Sequence, residues 1–589
     1  MTWCYSFFVK KHLYLTASLL ALSSSALATP LTRYFPDFPL AVFEAKDLQE
    51  SVKATGSFGE DTQKFLGVLL NDALKSELGE EIPGALRDIT VRTMIASIKD
   101  IAIGAYTVQN QPQVLVSVRL TSGNPIVNSL SKLFNDEIRN LKPAQRIREG
   151  NFLALNDGIA LGVGNNLLYL STNADLLRSY LRRVNGQVLP VLVNNINYVT
   201  ALQNTGDGFL KQMINLTSVS QLLARDKDVP KRFINTLKTL NLTASASSIV
   251  TDGMETRSTT QLNPNGGDAA LQKLLTYTPS SLELLKQLPI TAPSAAVLAT
   301  DTSGWLDYIG AWLPDLEFTA SEQKDLLSAF ARLKDRLGNE WAVVGGSNSV
   351  SPETLLTTAG LGSVLSGFGS LLSPDADSVY YNNAKDGALV LTDLETAIRT
   401  EMNKPVEEPV KPATVSPATP ATTAPTPPVQ SPEPVAPTYT TTLERIKLGG
   451  FDTLEYKRTS SEGMVSEAVY IVNKNNTIII SANKAKLEMN LAAAPLLDNP
   501  LFKAIAFPSR ISGLSFTAPI RTPRSEIDAG LNALLKAFEL EKDVPSSLVT
   551  AFGDWLESYT SRTQVSHGYS LVDGNRLRSY GKEGFSWNR

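Results

Sequence analysis

A chain of 589 residues is longer than one hydrophobic core supports, so more than one domain is expected, and 43% apolar residues are enough to fill real cores. Its 54 Lys and Arg stand against 58 Asp and Glu, a formal charge of −4, with no basic run long enough to follow a phosphate backbone, which excludes nucleic acid as an expected partner. One cysteine and two histidines leave thiol chemistry and His/Cys metal sites almost no residues to work with.

The chain opens with Lys10 and Lys11, the apolar run "LYLTASLLALSSSALA" and a small-residue site at Ala26, Leu27 and Ala28. That order reads as a signal peptide over residues 1–28, with the mature chain beginning near Thr29 in the periplasm or at the cell surface. Cys4 lies ahead of the apolar run, so it is not a lipid-attachment cysteine and leaves with the signal. The mature chain then has no thiol and must rely on packing alone.

From Gln113 the stretch "QVLVSVRL", from Phe152 "FLALNDGIALGV" and from Asn165 "NNLLYLS" read as short strands, the second closed by an Asn-Asp-Gly turn that implies antiparallel neighbours. Ser171 and Asn173 supply an N-cap for a helix with Leu176, Leu177, Tyr180, Leu181 and Val184 on one face and Asn185-Gly186 as its stop. Further on, Thr319 to Leu337 reads as a helix with a Thr319/Glu322 capping box, a stripe of Leu326, Leu327, Phe330, Leu333 and Leu337, and Gly338 at its end. The uncharged stretch "TLLTTAGLGSVLSGFGSLLS" from Thr354 has the length of a bilayer span, but its Gly, Ser and Thr content favours an apolar helix or loop of a soluble domain. Nor does a sustained lipid-facing alternation suggest a barrel.

Residues 405 to 437 hold eleven prolines, a density that no sheet or helix interior tolerates and that favours extended polyproline II. Residues 403–442 are therefore expected to be a disordered, solvated insertion, most simply a tolerated surface one.

Several segments are written twice. "NNLLYLSTNADLL" from Asn165 and "NNTIIISANKAKL" from Asn475 agree at Asn165/Asn475, Asn166/Asn476, Ser171/Ser481, Asn173/Asn483 and Leu177/Leu487, offset by 310 residues. "KDVP" occurs at Lys227 to Pro230 and at Lys542 to Pro545, each time leading into a helical pattern and a strand that ends in Asp-Gly, at Asp252-Gly253 and Asp573-Gly574. A weaker match pairs "FPLAVFEAKD", ending at Asp47, with "APSAAVLATD", ending at Asp301. Shared order and spacing imply a duplication. The expected fold is thus α+β: two tandem diverged copies of an antiparallel-sheet-plus-helices unit, over 29–290 and 291–589, the second interrupted by the proline-rich insertion. The repeated Asn, Ser and Leu turn a strand into a capped helix in both copies, which is a structural role before it is a ligand site.

The chemistry on offer is thin. His567, in "QVSHGYSLV", is the one histidine of the mature chain, and no Gly-x-Ser-x-Gly elbow supplies a nucleophile for it. Ser-x-x-Lys occurs at Ser129/Lys132, Ser321/Lys324 and Ser481/Lys484, the number chance supplies, without a companion Lys-Thr-Gly. "DADSVYYNNAKD" sets Asp375, Asp377 and Asp386 at calcium-loop positions, but Tyr380 replaces the required glycine, so it reads as a turn and a strand. "GLGSVLSGFG" lacks the Gly-Lys-Ser/Thr that grips phosphate. Paired carboxylates meet only in three dimensions, and Glu340 and Asp307 are the two to inspect. Trp305, Tyr308 and Trp312 share one helical face, which suits a core stripe and also a sugar-stacking or interfacial one.

The signal peptide, the block "LALNDGIALGVGNNLLYLSTNADLLRSYL" and the strand "WAVVGG" resemble a class of exported bacterial proteins of unknown function, built on a strand, a polar turn, a second strand and a helix. The likeness spans roughly a third of each unit, and the proline-rich insertion departs from its pattern. It implies a bacterial envelope protein and brings no catalytic residues with it. The expected function is non-catalytic binding or scaffolding in the cell envelope, with an apolar-ligand carrier as one form of it, and a carboxylate-dependent hydrolase of envelope polysaccharide as the alternative. No catalytic, cofactor-binding or metal residue is assigned and no cofactor is expected. The partner would be lipid, polysaccharide or another envelope protein.

Overall fold

The computed structural model describes residues 30–78, 97–121, 132, 152–154, 160–164, 166–227, 229–278, 282–315, 319–345, 378–402, 439–460, 465–519, 521–537 and 544–587. Residues 1–29, which include the expected signal peptide, the uncharged stretch from Thr354, and residues 403–438 of the proline-rich segment lie outside the described residues.

Among the described residues nineteen strands form one antiparallel sheet, so the fold is α+β. In chain order they are β1 (Ala41–Ala45), β2 (Ile98–Val108), β3 (Gln111–Leu120), β4 (Phe152–Ala154), β5 (Ala160–Gly164), β6 (Leu167–Ser171), β7 (Leu210–Asn215), β8 (Leu242–Val250), β9 (Gly253–Gln261), β10 (Ser294–Ala299), β11 (Glu340–Gly345), β12 (Ser378–Asn383), β13 (Tyr439–Leu448), β14 (Phe451–Ser460), β15 (Val465–Lys474), β16 (Thr477–Ser481), β17 (Gly513–Thr517), β18 (Ser566–Asp573) and β19 (Arg576–Gly584). Outward from the β9–β19 pair, one half of the sheet runs β9, β8, β7, β1, β2, β3, β6, β5, β4. The other runs β19, β18, β17, β10, β11, β12, β16, β15, β14, and then β13.

The halves agree in more than strand order. Asn173 caps the helix Ala174–Val184 by accepting from the Leu176 N–H at 3.0 Å, and its own N–H donates to Ser171 Oγ at 3.1 Å. Asn483 caps Lys484–Ala492 with the same two bonds, to the Lys486 N–H at 3.0 Å and to Ser481 Oγ at 3.1 Å. Ser171 stands opposite Leu115 and donates to the Val114 carbonyl, while Ser481 stands opposite Val379 and donates to the Ser378 carbonyl. Leu177 and Leu487 are both fully buried beneath these caps.

Other matched bonds lie outside the repeated motifs. Asn195 Nδ2 donates to the Asp37 carbonyl at 2.7 Å while its oxygen caps the helix Ile196–Thr205; Asn499 Nδ2 donates to the Ile290 carbonyl at 3.0 Å and caps Pro500–Lys503. Leu192 N–H donates to the Phe35 carbonyl, and Leu496 N–H to that of Leu288. Leu284 and Leu288 therefore stand to the second half as Leu31 and Phe35 stand to the first, and they lie in its core with Val297, Val344 and Tyr381. That core thus recruits residues ahead of position 291.

Adjacent strand residues feed opposite layers, as the pleat requires. Met213 joins Phe35, Leu115 and Tyr180 on one face, while its neighbour Ile214 packs with Leu216, Leu237 and Trp305 on the other. In the second half Ile479 lies beside Tyr381 and Phe516, with Ile478 and Ile480 on the reverse side. Helices cross between the halves. Gly56–Leu78 sets Phe58 and Phe65 against Phe552, Trp555 and Tyr559 of Ser546–Arg562, and Thr302–Gly310 sets Trp305 and Tyr308 against the leucines of Lys231–Leu240.

The capping box at Thr319 and Glu322 is present, but the helix runs Ala320–Leu333 and ends before Gly338. Leu337 leaves the helix to enter the core, and Leu327 is exposed. The segment around the proline-rich insertion is also informative. The helix Gly387–Met402 lies antiparallel along β13, tied by Arg445 to Glu395 at 2.6 Å and by Arg399 to the Leu443 carbonyl at 3.2 Å. The described residues on either side of 403–438 thus lie along one edge of the sheet.

Inside the first half the Tyr180 hydroxyl bonds Ser117 Oγ at 2.7 Å; in the second, Asn490 Nδ2 donates to the Tyr381 hydroxyl at 3.2 Å. Tyr180→Phe should strand the fully buried Ser117 hydroxyl at a cost of about 1–3 kcal/mol. Adding Ser117→Ala should recover most of that loss in denaturant titration. A double mutant no more stable than the single one would show the bond to be unimportant.

Candidate functional site

The carboxylates singled out by sequence do not meet. Glu340 lies on the face of β11 that carries Ala342 and Val344, and its Oε2 accepts from the Leu284 N–H at 2.7 Å. Burial raises its pKa, against the pull of the Leu284 and Glu283 backbone N–H groups. Asp307 sits on the helix Thr302–Gly310, which covers the opposite face of the sheet, and its carboxylate pairs with Lys334 at 3.1 Å. The sheet separates the two, so they cannot flank one bond.

Other candidates are built into the scaffold. Trp305, Tyr308 and Trp312 are buried among leucines, with the Tyr308 hydroxyl on Thr236 at 3.0 Å, so their stripe is core. Ser481 is spent on the helix cap, and Ser321 and Lys324 are exposed on a helix surface. Ser129, Asp375 and Asp377 lie outside the described residues, while Tyr380 is in the middle of β12 and Asp386 accepts from the Leu389 N–H at the start of a helix. A carboxylate network that sequence did not suggest joins Asp100 to Arg119 at 2.6 Å and to the Asp47 N–H at 2.9 Å, with Lys99 beside Asp47. Cations offset both carboxylates, and the network anchors the start of the helix Leu48–Ala54, where Asp47 holds a positive φ of 48°. Among the described residues no group of three or more His, Cys, Asp or Glu could hold a metal, and no helix is long and apolar enough to cross a membrane.

What remains is the joint itself. β9 and β19 pair over nine residues each, from Gly253 opposite Gly584 to Gln261 opposite Arg576. On the face that carries the Met213 core in one half and the Phe516 core in the other, Ala246, Arg257, Tyr580 and Tyr569 follow one another across four strands. A polar strip therefore divides two apolar cores on one face. Glu255, Arg257, Thr259 and Gln261 face Lys582, Tyr580, Arg578 and Arg576 along it.

Its charges are unevenly matched. Lys582 binds Asp252 at 2.7 Å and Arg578 Nη2 binds Asp573 at 2.7 Å, while Arg257 reaches Glu255 only at 3.4 Å and is 60% exposed. Arg576 takes a neutral partner, the Asn204 side-chain oxygen at 3.1 Å, on the helix Ile196–Thr205 that packs beside the strip. Tyr569 stacks on Tyr580, with ring centroids 5.1 Å apart, and burial, then a hydrogen bond to Glu255, raises the Tyr580 pKa. Two polar atoms here lack a hydrogen-bond partner among the described residues: Thr259 Oγ1 and Arg578 Nε, in residues directly opposite one another. The alternating charges in "METRSTTQ" and "RLRSYGK" are the sequence signal for such a strip.

His567 lies two residues from Tyr569, half-buried, with its ring 6.0 Å from Phe507 and 6.1 Å from Tyr580, and faces Lys582, Glu255 and Asp252. Burial, then Lys582, lowers its pKa from 6.5. The unfolded chain then takes up the proton first, so stability is full above 6.5 and falls as pH drops below it, until the folded histidine protonates as well. His567→Gln should remove this part of the acid-side slope in denaturation measured at pH 7.5 and 5.5. An unchanged slope would contradict it.

No family model matches the chain, and no curated protein does. Two solved structures do: crystal form III of TP0453, 8% identical with a TM-score of 0.23 over 44% of this chain and 91% of that one, and its crystal form I, 8% identical with a TM-score of 0.22 over 42% and 85%. Likenesses at those TM-scores carry no argument about fold or function.

Proposed function

We propose that the chain is an exported cell-envelope protein that acts by binding or scaffolding and not by catalysis. On this reading it is made of two diverged copies of one sheet-and-helix unit, joined edge to edge. The matched bonds of Asn173 and Asn483, of Asn195 and Asn499, and the common strand order support the duplication.

The observation that carries the non-catalytic reading is how the candidate acids and nucleophiles are occupied. Glu340 and Ser481 hold backbone groups, Asp307 and Asp100 hold cations, and Glu340 and Asp307 lie on opposite faces of the sheet. A general acid and base must converge on one substrate atom, and these do not. The polar strip, by contrast, sits at the surface with Arg257 exposed, and suits a polar or anionic partner better than an apolar cargo. Both apolar cores on that face are filled by the chain's own side chains, Tyr180 and Phe35 in one half and Tyr381 and Phe516 in the other.

Expressed with its own N-terminus in a Gram-negative host, the protein should fractionate with the envelope, and its intact mass should begin near Thr29. An unprocessed chain in the cytosol would sink the export reading. Purified protein should release no reducing ends from envelope polysaccharide. Release that disappears in Glu340→Gln would restore the hydrolase.

A further inference from the structure

We infer that the joint holds an oxyanion between Thr259 and Arg578. This deepens the binding reading above by naming the chemistry of the ligand. Thr259 is 1% exposed, yet its Oγ1 has no hydrogen-bond partner among the described residues. A buried hydroxyl left unpaired is destabilising, so a structure that keeps one has a use for it or fills it from outside. Directly across the strand pair, Arg578 Nε is also buried and unpartnered, while its Nη2 is held by Asp573 at 2.7 Å. Both groups are donors, carried by residues paired in register on one side of the sheet. A water can take two such bonds, but beside a guanidinium an anionic oxygen takes them more strongly.

The local symmetry of the joint sharpens the point. β9 and β19 pair about a centre at Arg257 and Tyr580, so the position equivalent to the Thr259/Arg578 pair, on the other side of that centre, is Lys582/Glu255. There a cation faces a carboxylate. At Thr259/Arg578 the cation faces a hydroxyl, and Asp573, which holds Arg578 Nη2 at 2.7 Å, leaves Nε without an acceptor. An oxyanion from solution, phosphate or carboxylate, supplies it, with the exposed Arg257 guanidinium two residues along the strand as the rim that draws it in.

The test uses the full chain and simple salts. Sodium phosphate and sodium acetate are titrated against sodium chloride at matched ionic strength, followed by thermal unfolding and calorimetry. Phosphate or acetate should raise the melting temperature where chloride does not, and the stronger of the two identifies the oxyanion class. Thr259→Val, which keeps the shape and removes the hydroxyl, should weaken binding about tenfold while leaving the salt-free protein as stable as before or more so. Arg578→Gln should abolish the preference, and if it fails to fold, Thr259→Val decides alone. Equal responses to all three salts, or a preference that survives both substitutions, overturns the site. Neither result bears on export or on polysaccharide release, so the two readings fail separately.

Discussion

The backbone ladder between β9 and β19 is the interaction on which the rest of the molecule depends. Each half of the sheet would otherwise end in a nine-residue strand with a full row of unpaired N–H and C=O groups, which is the kind of edge that recruits other chains. Pairing the two edges satisfies both rows at once. Because the strands are equal in length and pair end to end, neither leaves an overhang. The fit is close at its end, where Gly253, with φ of 150°, faces Gly584 and a Cβ would run into the Glu583 carbonyl.

That ladder also explains why charge appears in the middle of a sheet. The two apolar cores on one face stop at Ala244 and Met213 on one side and at Leu514 and Tyr569 on the other. The strip between them has only the helix Ile196–Thr205 and the Phe507 segment beside it, so apart from the buried Thr259 its side chains keep contact with water. On the reverse face the joint is covered: Leu577 joins the Trp305 and Leu271 core, and Ser258 and Ser579 bond across the strands. Helices exchanged between the halves complete the arrangement. Arg562 reaches Asp61 at 3.3 Å, and Trp555 Nε1 donates to Thr62 at 3.1 Å, so loss of either half exposes an aromatic face of the other.

Local signals in the sequence transferred well. The caps at Asn173 and Asn483, the capping box at Thr319 and the buried face of Leu176, Leu177, Tyr180 and Leu181 depend on residues within a few positions of one another, and a linear reading captures them. Non-local features did not. Tyr180 with Ser117, and Asn490 with Tyr381, fill equivalent space with the large and small partners exchanged, so the equivalence disappears from any alignment by identity. Glu340 and Asp307 could be chosen by type, but only the sheet between them decides that they never meet. Leu284 and Leu288 read as the end of one unit because their partners, such as Val344 and Leu496, lie far along the chain. Thr259 carries no pattern at all; its interest comes from what stands opposite it.

On the two-copy reading proposed above, joining two units in one chain would change what an edge-to-edge contact can do. Across a true twofold axis every contact occurs twice, so a cation facing a carboxylate on one side must be repeated on the other. In a single chain the two sides can diverge. One side of this joint pairs Lys582 with Glu255, and a duplicate there would neutralise the strip throughout; the other side has Thr259 in the place of a charge, opposite an arginine. The symmetric part of the contact, the backbone ladder, is indifferent to that exchange, because it is made by groups that every residue carries. Stability and recognition therefore separate at the same nine pairs of residues. The ladder keeps the halves together, and the side chains above it differ on its two sides, which is the condition for the single oxyanion site proposed at Thr259 and Arg578.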